Sequence, residues 1–179
     1  MTAKDIESIL MPETELEKRI VSVGEFREGV LYGKPRNGHP EGQVIHHIRD
    51  VLNNVERYSS DEDRERLRLI ALIHDTFKYK VDRTKPRIGG NNHAMLARKF
   101  AARYIEDKVI LDLIELHDEA YYAWQKGAKR DNWNGAEERA NRLIERLREN
   151  LALYLVFYRC DNETDGKERN NYIWFENLS

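Results

Sequence analysis

The 179-residue chain has a single cysteine, Cys160, and so cannot form an internal disulfide. That fits a reducing, cytoplasmic setting. No run approaches the ~20 apolar residues needed to span a bilayer, and the opening MTAKDIESIL has no apolar stretch of signal-peptide length. Charge of one sign is also missing. Thirty Lys and Arg nearly cancel 32 Asp and Glu, for a formal net charge of −2. No global field is available to hold nucleic acid, so that partner is not expected. Repeats, low-complexity tracts and period-two alternation between turn signals are all absent. What remains is 35% charged and 40% hydrophobic, the balance of a small helical protein with charged outer faces. The expectation is one compact all-α domain spanning 1–179.

Apolar spacing predicts the elements. Residues 12–31 read as an N-terminal helix within segment 1–32, with Pro12 in its first turn and Leu16, Ile20, Val23 and Phe26 on one face. Residues 33–42 are dense in Gly, Pro and Asn and form a loop. Val44, His47, Ile48, Val51, Leu52 and Val55 keep helical spacing. Ser60-Asp-Glu-Asp63 has the form of a capping box and starts the next helix. A basic loop, 80–90, precedes a helix capped by Asn91 or Asn92. Residues 108–118 form a short apolar helix, 126–135 a loop, and 136–162 one long helix, charged first and apolar later. Residues 163–179 are a C-terminal extension.

One set of residues carries chemistry: His47, His74-Asp75, His93, His117 and Asp161, with Lys78 three residues beyond Asp75. Four of the six histidines belong to it. Imidazole and carboxylate together make a mixed N/O pocket suited to Fe, Mn, Co, Ni or Zn. Positions three or four apart share a helical face, so His74 and Lys78 line up and Asp75 lies near them. A cation beside a metal site repels the metal, but it is useful if an anionic substrate lies between. His47 heads an apolar face and points inward. Asp161 falls at the buried end of the last long helix, where an unpaired carboxylate is costly and coordination removes that cost.

The order His…His-Asp…Asp, with His-Asp-x-x-Lys at 74–78, resembles the HD-domain superfamily of metal-dependent phosphohydrolases over roughly residues 33–162. The resemblance implies a helical bundle of that type, with His47, His74, Asp75 and Asp161 holding one divalent ion. His93 and His117, with Asp75 bridging, would hold a second. It also implies two-metal hydrolysis, in which Asp75 and Lys78 are catalytic and Lys78 holds a phosphate oxygen. Arg83, Lys85 and Arg87 lie on a loop between ligand helices and are candidates for further phosphate contacts, as against a solvated basic loop. Arg36 and His39 are candidates for the pocket mouth. The expected partner is a small phosphorylated substrate, a nucleotide above all, with room for a homo-oligomer and no membrane.

Other readings stand beside these. His46 competes with His47, which is better in phase with Val44 and Val51. Asp165 competes with Asp161, which better continues the apolar helix. Tyr121, Tyr122 and Trp124 either stack on a nucleobase or pack in the core. Cys160 reads as a buried structural thiol. Di-iron oxygenases such as inositol oxygenase share the six-ligand order and the lysine, so oxygenation is a rival chemistry. A metal-binding or signalling module without catalysis is a third.

Overall fold

Among the described residues, six side chains start helices by accepting a first-turn backbone N–H: Thr2, Thr14, Ser60, Asn92, Asp107 and Asn132. In the computed structural model, which describes residues 1–35, 42–164 and 169–179, the α-helices are α1 Ala3–Leu10, α2 Glu15–Ser22, α3 Gly24–Val30, α4 Val44–Tyr58, α5 Asp61–Ile73, α6 His93–Ala101, α7 Lys108–Leu116, α8 Glu119–Arg130, α9 Trp133–Leu147, α10 Leu151–Asn162 and α11 Asn170–Glu176. Short 3-10 turns cover Thr76–Lys80, Gly89–Asn91 and Arg148–Asn150. No strand occurs among the described residues, so the fold is all-α.

The chain departs from the expected path at three helix boundaries, and the C-terminal extension holds a further helix. The N-terminal segment is three helices, because Met11 turns left-handed (φ 49°) before Pro12 and Val23 is extended (ψ 132°). The expected loop at 126–135 is mostly helix. Gly127 lies inside α8 because the Trp133 ring packs on it: a Cβ there would sit 2.2 Å from Trp133 Cε3. The real connection is Asp131 (φ 52°) and the cap Asn132. The expected helix 136–162 breaks at Arg148 (φ 49°), so its charged and apolar halves are the separate helices α9 and α10. The C-terminal extension contains α11, whose Tyr172 and Phe175 enter the core.

One cluster of buried apolar side chains runs from Ile6 to Phe175. Within it α4, α5 and α10 pack on one another, and α5 also packs on α7. These four helices, together with α6 packed on α7, carry the polar cluster. Hydrogen bonds from α10 fix its neighbours there. Tyr154 Oη donates to the carbonyls of Leu116 and His117 at 3.2 Å each and accepts from Ala120 N, locking the α7–α8 junction. Asn54 Nδ2 on α4 donates to the carbonyls of Cys160 (2.9 Å) and Glu163 (3.1 Å), which fixes the end of α10 beside Asp161.

Candidate metal centre

His47 lies on the apolar face of α4 with Val44, Ile48 and Val51, while His46 is exposed. His74 ends α5 and Asp75 opens the following 3-10 turn. His93 is the first residue of α6, His117 ends α7, and Asp161 sits in the last turn of α10. All six are buried, none more than 8% exposed. Burying so many polar groups is costly unless they meet each other or a cation.

They meet around Asp75. Its Oδ2 lies 3.5 Å from His47 Nε2 and 3.7 Å from His74 Nε2. Its Oδ1 lies 3.4 Å from His93 Nε2 and 3.5 Å from His117 Nε2. His47 and His74 are 3.3 Å apart, Nε2 to Nε2, and His93 and His117 are 3.2 Å apart. Asp161 Oδ1 adds to the first group, 2.9 Å from His47 Nε2 and 3.8 Å from His74 Nε2. Two triads result, His47–His74–Asp75 and Asp75–His93–His117, sharing Asp75.

The donor set fits a metal. Bonds of about 2.0–2.2 Å from one ion to N and O place neighbouring donors about 3–3.5 Å apart, close to the separations above. The tautomers fit as well. His74 Nδ1 faces the Ala71 carbonyl at 2.9 Å and His117 Nδ1 the Ile114 carbonyl at 2.8 Å. With Nδ1–H donating, each Nε2 presents a lone pair to the cluster. His47 Nδ1 has no hydrogen-bond partner among the described residues.

Electrostatics divide the histidines. Burial pulls His74 down to about 3, against the opposing pull of Asp75 and Asp161. For His117 burial is outweighed by Asp118 and Asp75, and its value rises to about 9. Burial would raise Asp75, but Lys78 and His74 hold it well below the usual carboxylate range. Lys78 Nζ pairs directly with Asp75 Oδ2, and Asp75 with Asp118 keeps the ammonium charged despite burial.

Of the loop cations, Arg83 reaches this region, donating to Tyr32 Oη at 2.6 Å. A cleft of ≈ 540 Å³ opens onto His47, Asp75 and Lys78, walled by Tyr32, Lys34, Pro35, Val44 and Arg83. Lys85 pairs instead with Asp82 at 3.1 Å, and Arg87 is exposed; neither lines the cleft. Arg36, His39 and Asp165 lie outside the described residues. Tyr121 and Trp124 stack on each other (centroids 6.0 Å), and among the described residues the aromatic side chain in the cleft wall is Tyr32. Cys160 is buried beside the centre, and its thiol is pushed up to about 12 by burial.

Sequence reasoning missed Tyr32, Lys34 and Asp118. Asp118 Oδ2 is 3.4 Å from His93 Nε2, and its Oδ1 is 3.7 Å from His117 Nε2. A signal for it was present: His117-Asp118 is a second His-Asp dipeptide at a helix end. Nothing in the pattern pointed to Tyr32 and Lys34, because only the fold brings that segment against His47.

The chain is an all-helical bundle around two buried His/Asp triads that share Asp75 and could hold metal ions. The HD-domain family matches residues 44–154, most of the chain, and the chain belongs to that family. The match ends before Asp161, whose place in the cluster rests on the distances above. No curated protein and no solved structure matches the chain.

Proposed function

We propose that this chain is a metal-dependent phosphohydrolase acting on a small phosphoester or phosphoanhydride, with a nucleotide as the favoured substrate class. The observation that carries the reading is the shared cleft: Lys78, Arg83 and Lys34 line the same space as His47 and Asp75. Cations beside a metal centre work against simple metal storage and in favour of an anion held between them. The volume falls in the range of about 300–1,000 Å³ common to small-molecule sites.

His47, His74, Asp75 and Asp161 would hold one ion, and His93, His117 and Asp75 another. Bound ions supply Lewis-acid polarisation of a phosphoryl oxygen and a water acidic enough to attack at neutral pH. The chain's own residues do the rest. Lys78, fixed by Asp75, places an ammonium where negative charge grows on the transferring group. Arg83, steadied by Tyr32, holds a second anionic oxygen further out. The Ala71 and Ile114 carbonyls keep the lone pairs of His74 and His117 turned inward. Phe157, buried and edge-on to His74 at 5.3 Å, packs against the His74 ring and helps hold its orientation.

The test is phosphate or nucleotide release by the full chain loaded with Mn²⁺ or Co²⁺, across a panel of nucleotides and phosphoesters, beside Asp75→Asn. Turnover that Asp75→Asn abolishes is the expected result. No hydrolysis across the panel would sink the reading, and oxygen consumption with Fe²⁺ instead would move the chain to oxygenase chemistry.

A further inference from the structure

We infer that Asp118 is a further ligand for the ion held by His93 and His117, so that His117-Asp118 is a second metal-binding His-Asp dipeptide. The inference rests on the two-ion reading above and adds a residue to it. The two dipeptides are built alike. His74 (φ −49°, ψ −43°) and Asp75 (−103°, −8°) have nearly the backbone of His117 (−54°, −35°) and Asp118 (−88°, −7°). Each histidine ends a helix, and each directs Nδ1 to the carbonyl three residues back. Each aspartate then occupies the N-cap position of the next helical segment.

That position is where the second observation lies. Aspartate is among the strongest N-cap residues, because its carboxylate takes a first-turn N–H. Asp107 does this, accepting from Val109 N. Neither Asp75 nor Asp118 makes a side-chain cap bond. Asp118 gives up that stabilisation and turns its oxygens to His93 and His117, where Tyr122 Oη donates to Oδ2 at 2.9 Å. A carboxylate aimed at two imidazole nitrogens at 3.4 and 3.7 Å has the donor spacing seen elsewhere in the cluster. Both halves then have the same make-up: two Nε2 atoms, one oxygen of Asp75 and one terminal carboxylate, Asp161 in one and Asp118 in the other.

The experiment is Co²⁺ titration of the chelator-treated full chain and Asp118→Asn, reading bound metal per chain and the visible Co²⁺ spectrum. Wild type binds two ions. Asp118→Asn keeps one at wild-type affinity and binds the other at least ~10-fold more weakly, with an altered spectrum. Two ions bound with wild-type affinity and spectrum by Asp118→Asn would overturn the assignment, as would a wild type that binds only one. If Asp118→Asn does not fold, Asp118→Glu decides: a changed Co²⁺ spectrum supports ligation, and an unchanged one refutes it. Failure here is separable from failure of the proposed function. Two ions lost from neither variant while hydrolysis persists strikes Asp118 alone, whereas two ions bound with no hydrolysis strikes the reaction.

Discussion

Truncating Arg68 to alanine should cost the fold about 3 kcal/mol, at the lower edge of the 3–5 kcal/mol typical when one partner of a buried ion pair is removed. Arg68 on α5 is 3% exposed, and its guanidinium donates to both oxygens of Glu17, from Nε at 2.8 Å and Nη2 at 3.1 Å. It also reaches Glu56 Oε1 at 2.9 Å and the Met11 carbonyl at 3.1 Å. Without it Glu17, fully buried on α2, keeps the Glu13 N–H at 2.6 Å and a place in the helix's first turn. Those two supports favour a carboxylate at a helix N-terminus and hold the loss to the lower edge. The assay is urea unfolding of the full chain followed by circular dichroism. The double variant Arg68→Met with Glu17→Gln removes both charges and keeps an acceptor for Glu13 N–H, so it should recover most of the loss. A single-variant cost under ~1 kcal/mol, or a double variant as unstable as Arg68→Ala, would show that the pair does not hold α2 to α5.

Three further outcomes follow from the centre and its supports. Lys78→Met should lower hydrolysis by about 10²-fold, the scale of losing one charge-stabilising donor, while metal content holds; loss of metal instead would make Lys78 a structural residue. Gly29→Ala places a Cβ 2.0 Å from the Thr76 carbonyl oxygen, so it should destabilise by about 1–3 kcal/mol and weaken metal binding through neighbouring Asp75; an unchanged urea midpoint would contradict the packing. In chelator, His117 stabilises fully below its unfolded value near 6.5, and that contribution is lost as pH rises through about 9, whereas His74, depressed to about 3, loses stability as pH falls below 6.5. Thermal melts should therefore peak between these limbs, and adding Mn²⁺ should remove the alkaline limb, because the ion replaces the proton on His117.

The residues that meet around Asp75 are more legible in the sequence than the path of the chain. His47 could be placed by phase with Val44 and Val51, and His74-Asp75 by its lysine, because both signals are local and helical. The break at Arg148 was hidden, since a left-handed arginine has no mark in composition. Gly127 read as a turn because its purpose, making room for Trp133, exists only after α8 and α9 pack. Lys85 and Arg87 shared a loop with Arg83, yet only Arg83 faces the cleft; a loop's charge is legible in sequence, but its direction is not. Asp118 has a visible cue in the repeated His-Asp dipeptide, but its turn toward His93 is set by the packing of α6 against α7.

Asp75 gives one oxygen to each half of the cluster. Under the two-ion reading, that makes the halves thermodynamic partners. Whatever factor the first ion imposes on the affinity of the second, the second imposes on the first. Metal supply then acts on the pair as a unit, and the response of the centre to a falling metal concentration is set at one carboxylate. The same sharing concentrates mutational risk: a change at His93 disables one half, whereas a change at Asp75 removes an oxygen from both.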